Sequence, residues 1–300
     1  MIIFNVLTPI LLVLFVGYYS SRKAFFSKEQ IAAISKFIFY LCIPCLLFSG
    51  MATAKLDVMQ SLSVMQSFYI SALLLFVAVA FAYRCKRQSL KQASVMALTA
   101  TYSNTILIGL PIVIYAVGKS SVDLVFIIIT FHSVMLFTLT YLLAGDIKAI
   151  KKTVKTVLIN PVVSSLTIGL IVNLLHLPVP DILMVSVKLL SEPAIAGAIF
   201  VLGANLFHLQ LKGSLREAAI LSVIKVIILP AMVYTLGRYV FDLSDVALQV
   251  VVLLAAAPVG VNAFFVAKEL DAQETKTANA VVISTILSAL SYSFWLFVLF

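Results

Sequence analysis

Two short polar interruptions in apolar stretches contain the residues best suited to binding a small molecule. They read SNTILIGLP, residues 103–111, and APVGVNAFF, residues 257–265. Proline lacks a backbone amide donor and glycine permits unusual backbone angles, so each interruption predicts a broken helix. We predict the breaks at Gly109-Leu110-Pro111 and at Pro258-Val259-Gly260.

A broken helix could bind an anion through its newly exposed end. Proline is favoured at the first position of a helix, so Pro111 and Pro258 would each begin a half-helix whose positive dipole end lies near mid-membrane. Such an end attracts a carboxylate without placing a full positive charge in the membrane. The alternative is that these residues make harmless kinks, which are common in membrane helices. The candidate substrate-binding residues are Asn104, Thr105, Gly109, Pro111, Pro258, Val259, Gly260 and Asn262.

Four ionisable residues inside apolar segments are candidates for coupling or gating, because a charge within the membrane is costly. Lys225, near mid-membrane, either acts on an anionic substrate or pairs with backbone carbonyls. His132 either carries a coupled proton or is a neutral, hydrogen-bonded core residue. Lys188 and Glu192 lie four residues apart on one helix face, where an ion pair would be a gate or a purely structural contact.

Several classes of function lack their motifs in this sequence. No cluster has metal-ligand spacing, and neither a nucleophile motif nor a phosphate-binding loop is present. We therefore expect no cofactor, no enzymatic activity and no ATP-driven pump. If the chain moves a solute across a membrane, the driving force would be a gradient of that solute or of a coupled ion, and the choice between proton, sodium and no coupled ion stays open.

The elements that position these residues are membrane helices. Hydrophobic residues make up 63% of the chain, charged residues 11%, and the mean hydropathy is +1.15. Soluble domains are only about 45–50% apolar. The formal charge of +9 comes from Lys and Arg residues that lie between or within the apolar runs. They do not form the clustered basic face of a nucleic-acid-binding protein. The lipid bilayer is thus the expected partner, and nucleic acid is not.

Ten segments are apolar enough over about 20 residues to span a bilayer. They are residues 2–20, 30–54, 63–83, 92–118, 122–145, 157–176, 181–208, 215–240, 246–267 and 275–299. The fourth and ninth contain the two interruptions. We predict an all-α polytopic membrane protein with two five-helix repeats, residues 1–145 and 157–300, joined by a short linker at 146–156.

The two halves share a sequence pattern. TPILLVLFVG begins at Thr8 and NPVVSSLTIG begins at Asn160, so proline and glycine recur at matching positions. Five is odd, and the second half therefore enters the membrane from the opposite side, which makes the repeats inverted. Lys and Arg are concentrated in the odd-numbered loops, which predicts that these loops are cytoplasmic and that both termini lie outside.

The two interruptions resemble the crossover segments of the auxin efflux carrier family. That family includes the plant PIN-FORMED carriers and bacterial permeases for small organic anions, within the bile acid/sodium symporter-like superfamily. The likeness extends over all ten segments and includes FYLCIPCLLFSG in the second. In this chain Val259 stands where the plant pattern has glutamine, and the central linker is short.

The resemblance implies a fold, an assembly and a mechanism. Segments 1, 2, 6 and 7 would form a scaffold domain, and segments 3–5 and 8–10 a transport domain that moves against it like an elevator. It also implies a homodimer in the bacterial inner membrane. We therefore expect a secondary transporter of a small organic anion that works by alternating access. The alternative is a membrane-embedded channel or receptor for a small solute.

Overall fold

The computed structural model describes residues 2–55, 57–118, 121–145, 160–208, 211, 213 and 215–300. Within these residues the regular structure is helical, and β structure is limited to one isolated bridge. Numbered in chain order, the helices are α1 (Ile2–Arg22), α2 (Lys28–Ala52), α3 (Val58–Cys85), α4 (Leu90–Thr101), α5 (Thr105–Ala116), α6 (Val122–Ala144), α7 (Pro161–Leu174), α8 (Asp181–His208), α9 (Arg216–Tyr239), α10 (Asp245–Ala256), α11 (Asn262–Glu269) and α12 (Glu274–Leu299).

Seven of these helices are long and apolar enough to cross a membrane, namely α1, α2, α3, α6, α8, α9 and α12. Shorter apolar helices are α5, α7 and α10. The prediction of an all-helical integral membrane protein is therefore confirmed. The fourth and ninth predicted segments are each divided, into α4 and α5 and into α10 and α11. Ten spans arranged as inverted repeats remain a prediction.

Side chains cap several helices where the chain enters them. Ser27 and Ser89 each form a capping box with the glutamine three residues later, which satisfies amides at the starts of α2 and α4. Asp57 and Ser244 accept amide N–H groups at the starts of α3 and α10. These helix starts are encoded locally, by short polar side chains next to apolar runs.

Wide π-helical turns precede three prolines inside α2, α5 and α9. The turns span Ile38–Cys42, Thr105–Gly109 and Ile224–Ile228. Each is followed after one residue by a proline: Pro44, Pro111 and Pro230. A proline ring clashes with the carbonyl one turn earlier, and widening that turn relieves the clash. The helix therefore continues through these prolines and does not end at them.

Helices α1, α2, α7 and α8 pack against one another through glycines. A Cβ atom added at Gly17 of α1 or at Gly203 of α8 would lie 2.0 Å from a carbonyl oxygen of the other helix. A Cβ at Gly169 of α7 would lie 2.9 Å from the carbonyl oxygen of Phe48 in α2. Only the absence of a side chain allows backbones to come this close in a membrane.

Helices α3, α4, α6, α9, α10 and α12 form the other packed group, together with α5 and α11. Residues 93–105 and 250–260 are all buried within it. Unpaired backbone groups cost several kcal/mol each in lipid. The non-helical residues in these two stretches accordingly lie where protein surrounds them.

The predicted linker, residues 146–156, lies outside the described residues. The boundaries 1–145 and 157–300 therefore stay a prediction.

Candidate functional site

Two interruptions of the helices lie side by side in the buried core. Helix α4 ends at Thr101 and α5 begins at Thr105. Helix α10 ends at Ala256 and α11 begins at Asn262. We call residues 102–104 the first break and residues 257–261 the second break.

The two breaks pair with each other in antiparallel orientation. Ser103 and Val259 form the isolated bridge. The flanking hydrogen bonds run from the Asn104 amide to the Pro258 carbonyl at 2.8 Å and from the Gly260 amide to the Tyr102 carbonyl at 3.0 Å. Each break thus satisfies backbone groups that the other has freed, which is the requirement for irregular backbone at membrane depth.

The first break does not lie where the sequence predicted it. We expected it at Gly109-Leu110-Pro111, but those residues belong to α5, because the π turn accommodates the proline. Gly109 serves close packing instead, since a Cβ there would lie 2.9 Å from the side chain of Leu254. The second break includes the predicted residues, although α11 begins at Asn262 and not at Pro258. Neither proline begins a half-helix.

A neighbouring helix holds each break from the outside. The Ser103 amide donates to Nε2 of His132 in α6 at 3.0 Å, and the Val259 amide donates to Oγ of Ser284 in α12 at 2.9 Å. Because Nε2 accepts this hydrogen bond, that nitrogen is unprotonated in this arrangement. His132 is thus a buried, hydrogen-bonded residue in this structure, and a role in proton coupling stays a prediction.

Asn104 and Thr105 lie at the start of α5. Asn104 is only 7% exposed, and its Oδ1 accepts the amide of Leu107 at 3.3 Å, which makes it the N-cap of the helix. The side-chain oxygen is therefore occupied by the cap, and the Nδ2 group is what this residue can offer a ligand. Thr105 is buried as the first helical residue.

Asn262 is exposed at the start of α11 and contacts the first break through a tyrosine. Its Nδ2 donates to the hydroxyl of Tyr102 at 3.3 Å, and that hydroxyl shares a hydrogen bond with Ser133 at 2.8 Å. The ring of Tyr102 stacks on His132, with centroids 4.6 Å apart. The sequence analysis did not identify Tyr102, although it directly precedes the SNT motif.

Ser284 was also not identified, and the sequence held a signal for it. Ser284 follows His132 by 152 positions, which is the interval by which Asn160 follows Thr8. Aligning the halves at that interval would have paired the two residues.

Lys225 lies in the π turn of α9 and is fully buried. Its Nζ donates to the carbonyl oxygens of Ala255 and Ala257, both at 2.6 Å. The ammonium is therefore placed at the C-terminal end of α10, where the helix dipole favours a cation. Pairing with backbone carbonyls, one of the two alternatives for this residue, is what the structure contains.

Lys188 and Glu192 do not form the expected ion pair within the described part of the chain. Both side chains are exposed. Helix α8 is interrupted by a turn after its first segment, Asp181–Ser191, and Glu192 ends that segment with helical backbone angles. This segment packs on α2. A gating or coupling role for either residue stays a prediction.

Membrane-spanning helices with paired interruptions in buried protein are an architecture of secondary transporters. The family model described as "Membrane transport protein" matches this chain over residues 2–153 and 146–296. The chain belongs to this family, that of the auxin efflux carriers.

Two relatives match over nearly the whole chain. A protein of Rhizobium meliloti (strain 1021), named "Putative malonate transporter", is 22% identical over 93% of this chain and 90% of its own length. A protein of Methanothermobacter thermautotrophicus, named "Uncharacterized transporter", is 25% identical over 98% of this chain and 97% of its own length.

Proposed function

We propose that this protein is a secondary transporter of a small organic anion, with the substrate bound where the two breaks cross. The observation that carries the proposal is the antiparallel pairing of Ser103 with Val259 in the buried core. Paired helix breaks near mid-membrane are where such transporters bind substrates. The name of the Rhizobium relative favours a carboxylate such as malonate as the first substrate to test.

The breaks offer a carboxylate suitable donors. Helices α5 and α11 both begin beside the crossing, and the start of a helix carries a partial positive charge. Asn104 and Asn262 stand at these two starts, and each has side-chain N–H donors. A carboxylate bound there would be stabilised by dipoles and amide donors without a counter-charge of its own.

We further propose that the halves are inverted repeats of five helices. Corresponding contacts support this arrangement. The outward hydrogen bonds of the two breaks go to His132 in α6 and Ser284 in α12, in each case the second helix after the break. Gly17 and Gly169, which the sequence repeat aligns, both pack against a neighbouring helix backbone.

We propose that one helix group moves against the other, as in an elevator mechanism. This movement would give the substrate site access to each side of the membrane in turn. Polar contacts tie the larger group together: Tyr141 donates to Glu269 at 2.6 Å, Gln273 donates to Gln88 at 3.3 Å, and Lys276 pairs with Glu217. At the boundary between the two helix groups, α1 packs on α5 and α12, and α2 packs on α6, mainly through apolar side chains. These contacts support α1, α2, α7 and α8 as the scaffold and the remaining helices as the transport domain.

We also propose that the protein lies in the bacterial inner membrane as a homodimer, with both termini outside. The exposed Cys85, at the end of α3, offers a test of orientation. The distribution of Lys and Arg predicts that a membrane-impermeant maleimide labels Cys85 from the cytoplasmic side only. Labelling from outside would reverse the orientation.

Uptake by reconstituted vesicles tests the transport proposal. We expect saturable uptake of radiolabelled malonate or a related carboxylate, accelerated by unlabelled substrate on the opposite side. Parallel vesicles with and without proton and sodium gradients would identify the coupled ion. Linear uptake without such counterflow would indicate a channel, and binding without uptake would indicate a receptor.

A further inference from the structure

The ammonium of Lys225 is held by backbone and not by an acidic side chain. It is 0% exposed, and its two hydrogen bonds go to the carbonyls of Ala255 and Ala257. The last carbonyls of a helix lack partners within the helix and carry partial negative charge. The break after Ala256 exposes such carbonyls inside the membrane, and Lys225 satisfies two of them.

The acidic residues of the surrounding helices are engaged elsewhere or stand at helix ends. Within the described residues, Glu217 of α9 pairs with Lys276, and Asp245 of α10 pairs with Arg238 at 2.9 Å. Glu274 begins α12. A positive charge on Nζ would therefore be balanced mainly by the carbonyls and dipole of α10.

The end of a broken helix is also where transporters hold coupled cations. Unwound carbonyls and the C-terminal ends of half-helices coordinate sodium ions in several transporter folds. An ammonium group has the same charge as sodium, and two carbonyl oxygens at 2.6 Å are partners that either cation would accept. Unlike a dissolved ion, the ammonium of Lys225 is attached to α9 and cannot leave.

We propose that Lys225 is a tethered cation that takes the place of a sodium ion at the second break. The ammonium then balances the partial negative charge of the break's carbonyls at any sodium concentration. The anion is therefore transported without a sodium ion bound at the second break. Lys225 is accordingly a positioning residue, which keeps the second break in shape for the substrate. This inference rests on the proposed transport function for its meaning, but its main test does not require transport.

The test measures thermal unfolding of the purified protein in detergent. Wild type and Lys225→Ala are compared in choline, sodium and methylammonium chloride at equal ionic strength. Removing the ammonium exposes a site for a small cation, and ligand binding raises the Tm. We expect Lys225→Ala to lose about 5 °C or more in choline and to recover at least half of that loss in methylammonium or sodium. Choline is too large to enter.

Two comparisons make the result specific. Lys36→Ala removes an exposed lysine from α2 and should show no cation-dependent shift. Wild type should unfold at the same Tm in all three salts. The proposal is overturned if the Tm of Lys225→Ala equals that of wild type, or if neither sodium nor methylammonium raises the Tm of this variant. It is also overturned if sodium raises the Tm of wild type but not that of the variant.

Wild-type vesicles keep the inference testable if Lys225→Ala does not fold. Uptake of the transported carboxylate should be equal in sodium and choline media, and stimulation by sodium would overturn the tethered cation. Failure of every carboxylate to be taken up would instead contradict the proposed function, while the thermal measurements on Lys225 would stand.

Discussion

At the first break the Ser103 amide donates to the ring of His132, whereas at the second break the Val259 amide donates to the hydroxyl of Ser284. The backbone arrangement is the same, since each break is paired with the other on one side and held by a neighbouring helix on the other. The chemistry differs, because imidazole accepts through Nε2 only while that nitrogen is unprotonated. A serine hydroxyl has no such restriction.

The surroundings of the two breaks differ as well. Asn104 caps the helix that follows the first break, and Asn262 at the second break binds the hydroxyl of Tyr102 instead. Only the second break has a buried ammonium at the preceding helix end among the described residues. The comparison indicates a division of roles, in which the first break supplies polar donors and the second is held by the buried Lys225 amine.

The largest expected effect is on stability, from Lys225→Met. This variant leaves the buried carbonyls of Ala255 and Ala257 without their donor, at a cost of about 1–3 kcal/mol each. We expect the free energy of unfolding to fall by roughly 2–6 kcal/mol, measured by denaturant or thermal unfolding in detergent. A variant as stable as wild type would show that the second break does not depend on its cation.

The next effect is on substrate affinity, from Asn104→Ala. Losing one hydrogen bond to a charged group costs about 1.5–3 kcal/mol, so binding of the carboxylate should weaken by roughly 10- to 150-fold. The variant also loses the cap on the Leu107 amide, worth about 1 kcal/mol of stability. Binding is measured by titration of the purified protein with the transported anion.

Asn104→Ser separates these two contributions. Serine keeps a side-chain oxygen that can cap α5, adds no charge to the buried break and lacks the amide Nδ2 donors. It should therefore retain most of the stability of wild type and still lose affinity. If Asn104→Ser binds the anion as wild type does, Asn104 acts only as a cap and its amide does not supply donors to the anion.

A smaller effect tests whether the two outer hydrogen bonds correspond. His132→Phe and Ser284→Ala each leave a buried amide without an acceptor, at a cost of about 1–3 kcal/mol. Phenylalanine preserves the stacking on Tyr102, so the loss reports the hydrogen bond. We expect similar decreases in unfolding free energy for the two variants. A loss confined to one of them would contradict the structural correspondence of the breaks.

The sequence predicted the helices well because long apolar runs are a direct consequence of a lipid environment. It also identified both interrupted segments and the asparagines beside them. Local rules failed at Pro111, where a widened turn replaced the expected helix end. Such turns depend on packing against other helices, which no local pattern encodes.

Residues whose role depends on distant contacts were the hardest to predict. Tyr102 gains its role only when the two halves of the chain fold against each other, and Ser284 gains its role only when α12 packs against the second break. For Lys225 the sequence indicated the depth and left the partner open, because the partner is backbone and backbone carbonyls leave no trace in the sequence. The expected pair of Lys188 and Glu192 is not among the ion pairs of the described residues, and both side chains are exposed.

The smallest expected effect is that of Pro111→Ala, and it distinguishes the two prolines. Pro111 lies within α5, seven residues after the first break ends, so its replacement should leave the break and its donors in place. Alanine removes the ring that the π turn accommodates, and the turn can relax to α-helical geometry at little cost. We expect the substrate affinity to change by less than about threefold, which corresponds to under about 0.7 kcal/mol.

Pro258→Ala is the matched variant, because it adds an amide N–H inside the buried second break, where an unpaired donor costs about 1–3 kcal/mol. Pro258→Ala should therefore reduce stability while Pro111→Ala does not. If Pro111→Ala weakens binding tenfold or more, the π turn itself shapes the substrate site, and the site extends from the break into α5.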